Sequence, residues 1–162
     1  MQHELPSTLK VATIWILVAL ALFFGIQAWQ HQARQTRFVA GDGVIEIRRA
    51  EDGHYHWPGE INGRRVTFLI DTGATGTAIS TALAAELGLK SEGEATSMTA
   101  NGPARGQLMR ADVALEGGVR AERLRITALP GLGPQPLLGM NVLGKLRWQQ
   151  REGVLRIEMG ER

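Results

Sequence analysis

Cysteine is absent from this chain and aromatic residues are scarce, and both shortages limit the chemistry available to it. None of the 162 residues is cysteine, so no disulfide can hold the fold together and no thiol can act as a nucleophile. Aromatic residues make up 6% of the chain, and they do not alternate with arginine as they do on many nucleic-acid-binding surfaces. We therefore expect one domain without disulfides, since the length is sufficient for one domain and hardly for two.

A surplus of one charge is also missing from most of the chain. Residues 41–162 carry 15 Lys and Arg against 15 Asp and Glu. The formal charge of +2 comes from the first 40 residues, where Lys10, Arg34 and Arg37 outnumber Glu4. A balanced globular part offers no basic surface to nucleic acid, so nucleic acid is not an expected partner.

One long apolar run dominates the N-terminal region. Residues 11–29 contain no charge and would span about 28 Å as a helix at about 1.5 Å per residue, close to the hydrocarbon thickness of a bilayer. Trp15 and Trp29 suit the membrane interfaces, and no clear cleavage site follows the run. The run predicts a transmembrane helix, with a tail at 1–10 before it and a polar linker at 30–42 after it. A cleaved signal peptide and a helix buried in the protein are the alternatives.

Residues 43–162 are predicted to form one small all-β domain, closed or sandwiched, because short apolar stretches are separated by turn signals. The strongest signal is Asn62-Gly63, which predicts a hairpin between strands at 55–61 and 64–70. Further strands are predicted at 44–48, 94–100, 107–115, 119–128 and, as a hairpin, 146–159. A short helix is predicted at 80–87, with Thr81 or Ser80 as its N-cap and Gly88 as its C-terminal stop. A second short helix is predicted at 139–146. We expect Trp148 to fill the core.

The most informative stretch is Phe68-Leu-Ile-Asp-Thr-Gly-Ala-Thr-Gly76, in which an apolar strand ends on a carboxylate. The acid should lie beside the core, where a carboxylate costs free energy unless it is hydrogen-bonded or has a function. Gly73 permits close approach of a ligand or another chain, and the Thr72 hydroxyl can bond to a neighbouring main chain. Asp71 is therefore the main candidate for catalysis. The alternative is an ordinary turn, since Asp and Gly are common turn residues.

Asp71-Thr72-Gly73-Ala74 after apolar residues resembles the active-site motif of the aspartic proteases, in particular of their retroviral-type, or retropepsin-like, branch. A second segment, Pro136-Leu-Leu-Gly-Met-Asn-Val-Leu143, is similar to the family's apolar-apolar-Gly segment, which leads into a short helix beside the catalytic loop. Between these two lies Thr99-Ala-Asn-Gly102, where the family has its substrate-covering flap; an ordinary hairpin tip is the alternative. The three segments follow one another in the family's order.

The resemblance implies an aspartic endopeptidase that acts as a homodimer on peptide or protein substrates. The reaction needs two carboxyls that share a proton, and the chain has a single Asp-Thr-Gly. The family's pattern implies catalytic positions at Asp71, Thr72 and Gly73, with the threonine bonding across the dimer interface. It implies substrate contacts at a second set of residues, namely Ala74, Asn101, Gly102 and Pro103. It implies no metal and no other cofactor.

The chain departs from the retroviral pattern at two positions. Retroviral enzymes have an Arg after the Gly of the second segment and an acid four residues after the catalytic Asp, whereas this chain has Met140 and Thr75. The ion pair that braces those active sites is missing, so a dimer stabilised in that way is not expected.

The Leu-Leu-Gly-Met and Thr-Ala-Asn-Gly segments are closer to those of membrane-anchored retropepsin-like proteases of bacteria. That likeness implies a single-pass protein of the bacterial inner membrane with a periplasmic protease domain. The charges flanking the apolar run do not decide its orientation. The linker contains the apolar pair Phe38-Val39, at which we expect self-cleavage to release the domain.

Other functions have less support in the sequence. The main alternative is a catalytically silent peptide-binding or adaptor domain of the same fold. A third reading is a structural membrane partner in which Asp71 is only a turn residue. His54 and His56 share one face of a strand, but no third ligand with metal-site spacing accompanies them, so we expect a surface or packing role. Ser80 and Ser97 have no nearby histidine to activate them, which disfavours a serine hydrolase.

Overall fold

The computed structural model describes residues 7–33, 37–41, 43–99 and 102–159. The chain divides into two compact units, Met1–Gln35 and Thr36–Arg162.

The described part of the N-terminal unit is one α-helix, α1 (Ser7–Ala33). It is rich in leucine and alanine, which favour helix, and no proline interrupts it. Its central span, Val11–Gln30, has a mean hydropathy of 2.3, and none of it is buried. By length and composition this helix is able to cross a membrane, and a signal sequence near an N-terminus meets the same criteria.

The second unit is built from short strands and, within its described residues, two short helices. The strands are β1 (Arg37–Val39), β2 (Gly43–Arg48), β3 (His56–Ile61), β4 (Arg64–Ile70), β5 (Thr77–Ser80), β6 (Gly93–Thr99), β7 (Gly102–Leu115), β8 (Val119–Leu129), β9 (Leu137–Leu138), β10 (Arg147–Arg151) and β11 (Val154–Met159). The helices are α2 (Thr81–Glu86) and α3 (Met140–Leu143).

Eight of these strands form one sheet in the order β1-β8-β5-β9-β4-β3-β7-β6. Strand β7 also pairs with β8 along most of its length, and this pairing closes the sheet on itself. The other three strands form a small sheet in the order β10-β11-β2. The structure confirms the predicted small, closed β domain.

Apolar side chains from several strands fill the interior of the closed sheet. Trp57 of β3, Phe68 of β4, Ile79 of β5 and Ile126 of β8 are each at most 1% exposed. The Trp57 indole N–H donates to the carbonyl of Glu116 at 2.9 Å, so burial of the ring leaves no unpaired donor. The core thus fixes both strands of the β3–β4 hairpin, the second of which leads into Asp71.

The local turn and cap signals are confirmed. Asn62 and Gly63 have φ values of 49° and 80°, as a two-residue hairpin between β3 and β4 requires. Helix α2 is capped by Ser80, whose Oγ accepts from the Leu83 N–H at 3.1 Å. Gly88, with a φ of 61°, follows its C-terminal turn.

Some element boundaries differ from the sequence-based expectation. β7 begins at Gly102 and not near residue 107, so its first residues pair with β6 as a hairpin. β5 and β9 were not expected; β9 is only two residues long, and both pair with strands distant in sequence. Such short segments carry too little periodicity to be recognised.

Two further expectations need correction. β1 lies inside the segment predicted as a linker, 30–42, and pairs with β8. Its Phe38 packs against the core, with the Lys145 Nζ 5.8 Å from the ring centroid. Trp148 does not fill the core: it lies on β10, the edge of the small sheet, and is 37% exposed.

Candidate active site

Asp71 follows the last residue of β4 and is fixed there by its own backbone. Its N–H donates to the carbonyl of Leu138 at 3.0 Å, continuing the parallel pairing of β4 with β9. Its Oδ1 accepts from the Gly73 N–H at 2.9 Å, and its carbonyl accepts from the Ala74 N–H at 3.3 Å. The carboxylate is therefore oriented by a tight turn, as a positioned catalytic acid requires.

The surroundings of this carboxylate are more open than the sequence suggests. Asp71 is half-buried, while Thr72 and Gly73 are exposed and Ala74 is half-buried. Oδ2 of Asp71 has no hydrogen-bond partner within the described part of the chain. This face of the loop is consequently accessible to a second molecule.

The loop after Asp71 rests on the start of α3. The Met140 N–H donates to the carbonyl of Ala74 at 2.8 Å, and the Asn141 N–H donates to the carbonyl of Thr75 at 3.1 Å. A side chain at Gly139 would collide with the carbonyl of Gly76, so only glycine permits this approach. These contacts explain why an apolar-apolar-Gly segment accompanies the Asp-Thr-Gly loop.

Asn141 is a positioning residue that the sequence analysis missed. Its Oδ1 accepts from both the N–H and the hydroxyl of Thr77 at 2.9 Å, and its Nδ2 donates to the carbonyl of Arg125 at 2.9 Å. Thr77 is 1% exposed, so these hydrogen bonds lie where unpaired groups are costly. The available signal was one amide side chain in an otherwise apolar segment directly after Gly139.

Among the residues that the structure describes, no ion pair braces this loop. At the two positions where retroviral enzymes pair an acid with an arginine, Thr75 is exposed and Met140 is half-buried. Neither side chain carries a charge. Main-chain hydrogen bonds and Asn141 hold the loop instead.

The predicted flap is the β6–β7 hairpin. Thr99 pairs with Gly102, and the Thr99 hydroxyl donates to the Gly102 carbonyl at 2.7 Å. Gly102 is half-buried and Pro103 is exposed, while Asn101 lies outside the described residues. The described residues of the predicted substrate-binding set, Ala74, Gly102 and Pro103, therefore belong to two elements, the loop after β4 and this hairpin.

A cavity of about 350 Å³ lies between this hairpin and the loop after β8. Its walls include Gly102, Pro103, Ala104, Leu129 and Leu132. The size and the apolar walls suit one or two side chains of a peptide. A wider cavity of about 850 Å³ lies elsewhere, along β3, β4 and β7, and contains none of the predicted site residues.

The two histidines considered as metal ligands, His54 and His56, instead form hydrogen bonds with the Asp52 carboxylate. The His54 N–H donates to Asp52 Oδ1 at 2.9 Å, and His56 Nε2 lies 2.7 Å from Asp52 Oδ2. The His54 N–H and the His56 ring lower the pKa of Asp52. His56 Nδ1 lies 2.7 Å from Gln135 Nε2. Among the described residues, no group of three His, Cys, Asp or Glu side chains is placed to hold a metal ion.

Comparison with known proteins gives one curated relative and several solved structures. An uncharacterized protein in the cobV 5′ region of Sinorhizobium sp. is 27% identical over 176 aligned residues, covering 96% of this chain and 76% of the relative. The crystal structure of a retropepsin-like aspartic protease from Rickettsia conorii superposes with a TM-score of 0.56 at 22% identity, covering 76% of this chain and 92% of that one. This likeness shows a shared fold.

The solution structure of the Simian Foamy Virus (mac) protease is 18% identical and covers 55% of this chain and 91% of its own. Its TM-score of 0.43 is too low to add to the fold assignment.

A family model matches residues 57–145. The match runs from β3 through α3 and so includes the Asp71 loop, the β6–β7 hairpin and the Gly139 segment. It covers more than half of the chain. The chain therefore belongs to the retropepsin-like family described as "gag-polyprotein putative aspartyl protease".

Proposed function

We propose that this protein is an aspartic endopeptidase whose active site forms when two copies associate about a two-fold axis. The observation that carries the proposal is the turn at Asp71, which orients one carboxylate on an accessible loop. The sequence contains a single Asp-Thr-Gly, so one chain supplies one carboxylate of this motif. A two-fold contact brings equivalent residues together, so a dimer supplies the second Asp71.

The two carboxyls then share a proton and take different roles. Two carboxylates about 3 Å apart cannot both ionise. The ionised Asp71 removes a proton from a water molecule as that water attacks the peptide carbonyl. The protonated Asp71 donates a hydrogen bond to the carbonyl oxygen and stabilises the tetrahedral intermediate.

Neighbouring residues complete the site in this proposal. Thr72 and Gly73 are exposed, and the threonine hydroxyl bonds to the main chain of the partner copy. The substrate lies as an extended strand between the flap, with Asn101, Gly102 and Pro103, and the floor near Ala74. Main-chain hydrogen bonds give affinity, and apolar pockets give specificity.

We propose further that residues 11–29 anchor the protein in the bacterial inner membrane with the protease domain on the periplasmic side. The length and hydropathy of the Val11–Gln30 span, none of which is buried, support the anchor. Labelling of single-cysteine variants from outside spheroplasts tests the side, because this chain has no cysteine of its own. Labelling of Ser91→Cys only after lysis would contradict a periplasmic domain.

The decisive test is hydrolysis of a peptide library by the full chain in detergent micelles, compared with Asp71→Asn. We expect Asp71→Asn to abolish cleavage while leaving fold and dimer intact, because both catalytic carboxyls come from this position. Asp52→Asn is the matched control, since Asp52 is on an exposed turn and should leave cleavage unchanged. Equal cleavage by wild type and Asp71→Asn would refute the protease assignment.

A catalytically silent peptide-binding domain is the second candidate. The observation that favours it is the uncharged pair Thr75 and Met140 beside the loop, which offers no ion pair to brace a dimer. Peptide binding without cleavage across the pH range by wild-type protein would establish this alternative.

A further inference from the structure

The outer edge of β4 lacks a partner along most of its length. β4 pairs with β3 over all of Arg64–Ile70, but with β9 only at Leu69 and Ile70. The Ile70 N–H donates to the carbonyl of Tyr55 at 2.9 Å, so Ile70 faces the β3 side. Since hydrogen-bonding directions alternate in an antiparallel ladder, the residues before it face alternately outward and toward β3.

Three residues of β4 therefore direct their N–H and C=O groups away from β3: Leu69, Thr67 and Arg65. The Leu69 N–H confirms the direction, because it donates to the carbonyl of Pro136 at 2.8 Å on that outer side. Thr67 and Arg65 have no backbone partner there in the part of the chain that the structure describes. Two donors and two acceptors are thus available to an added strand.

A groove runs beside this free edge. We call it the β4 groove: a cavity of about 380 Å³ lined by Arg64–Thr67, Leu83 and Pro134–Pro136. Val66 is half-buried, and Leu83 and the prolines give the groove an apolar wall. Its size suits one or two side chains of a peptide.

The rim of the β4 groove is positively charged. Arg64 is paired with Glu86 at 2.6 Å. Arg65 is exposed and has no ion pair in the described part of the chain. An occupant with an acidic side chain next to an apolar one would match both the free guanidinium and the apolar wall.

We propose that the β4 groove binds an extended segment of a protein substrate, acidic and apolar in alternation, which adds as a strand beside Arg64–Phe68. This is strand addition to an exposed sheet edge, at a place distinct from the Asp71 loop and the flap. That the segment belongs to a substrate rests on the proposed function; binding itself requires no hydrolysis. A second copy of β4 fits less well, because self-pairing would bring four arginines of like charge together.

Binding is tested with the full chain carrying Asp71→Asn in detergent micelles. The probe is a fluorescein-labelled hexapeptide of alternating glutamate and valine, followed by anisotropy. Thr67→Pro removes the outward N–H without removing a bond to β3, and Arg65→Glu reverses the free charge. We expect each substitution to weaken binding about tenfold, the effect of one charge-assisted or main-chain hydrogen bond.

Matched controls separate this site from general effects. Thr67→Ala keeps the N–H, and Arg49→Glu reverses an exposed charge elsewhere; both should leave binding within about twofold. A lysine–valine hexapeptide should bind about tenfold more weakly. Unchanged binding in Arg65→Glu would overturn the proposal even if Thr67→Pro does not fold. So would a change of oligomeric state in Arg65→Glu without a change in peptide affinity.

A kinetic experiment tests whether the β4 groove binds part of the substrate. In the chain with intact Asp71, Arg65→Glu should lower kcat/KM about tenfold for a substrate that carries the acidic segment and leave kcat/KM unchanged for a short peptide without it. An equal loss for both substrates would overturn the substrate role. If the wild-type chain hydrolyses nothing but Arg65→Glu still loses the hexapeptide, the groove stands and the protease assignment fails.

Discussion

At the scale of single residues, one asparagine joins α3 to β5 and β8 beside the Asp71 loop. Asn141 joins the Thr77 main chain, the Thr77 hydroxyl and the Arg125 carbonyl. A neutral amide can satisfy both donors and acceptors in a buried place without the desolvation cost of two charges. Within the described part of the chain, hydrogen bonds and not a buried ion pair therefore hold the segment beside the Asp71 loop.

Replacement of this amide should be costly. Asn141→Ala leaves the buried Thr77 N–H without an acceptor, and we expect the free energy of unfolding to fall by about 2–3 kcal/mol. Urea unfolding of the full chain in micelles measures the change. Thr75→Ala alters an exposed side chain of the same loop and should change stability by less than about 0.5 kcal/mol. Equal stability of Asn141→Ala and wild type would show that the amide does not hold the loop.

The sequence revealed Asp71 but not Asn141, for a physical reason. Asp71, Thr72 and Gly73 are consecutive, so their association can be read from the chain. The hydrogen bonds of Asn141 join it to residues 64 and 16 positions away in the sequence. The neighbouring residues do not indicate which groups the amide bonds. The openness of the Asp71 loop also follows from tertiary packing and has no local signature.

At the scale of elements, short sequence signals correctly predicted the turns and helix caps, whose conformations depend on a few neighbouring residues. The hairpin at Asn62-Gly63 and the cap at Ser80 follow from backbone preferences of a few residues. β1, by contrast, is recognisable only through its pairing with β8, and the half-buried Phe38 shows why it docks. The three-residue strand β1 forms because it can pair with the edge of β8, which is distant in sequence.

The docking of β1 changes what we expect of self-cleavage. A protease cleft accepts an extended, unpaired segment, whereas Phe38 and Val39 are paired with Ala121 and Arg120. We expect the N-terminus to stay intact in native buffer. A fragment beginning at Val39 should appear only at low urea concentrations that release β1, and it should be absent from Asp71→Asn.

Mass spectrometry of the purified chain after incubation decides this point. Complete cleavage in native buffer would show that β1 does not protect the site. A fragment that persists in Asp71→Asn must come from another enzyme.

At the scale of the whole molecule, activity in this proposal depends on the meeting of two chains. The bracing ion pair is absent, so we expect the domain alone to associate weakly. A membrane helix confines both copies to one surface and raises their effective concentration. Anchoring then substitutes for a strong interface.

This dependence predicts an effect of dilution. A chain beginning at Thr36 should lose activity per molecule when it is diluted from micromolar to nanomolar concentration. The full chain in vesicles should keep its activity per molecule on the same dilution, provided that the ratio of protein to lipid stays fixed. Initial rates with a fluorogenic peptide measure both. A dimer at nanomolar concentration in sedimentation of the shortened chain would contradict the prediction.

The length of β7 has a consequence for motion. Its 14 residues join two environments, because residues 107–115 pair with β8 and residues 102–106 pair with β6 alone. A two-stranded hairpin is marginally stable in water, so this end of the β6–β7 hairpin should open while the closed sheet stays intact. Amide protons of 95–99 and 102–106 should therefore exchange with solvent much faster than those of 109–115. In the proposed enzyme, opening of this hairpin alone would let a polypeptide enter from the side, while the core that orients Asp71 stays folded.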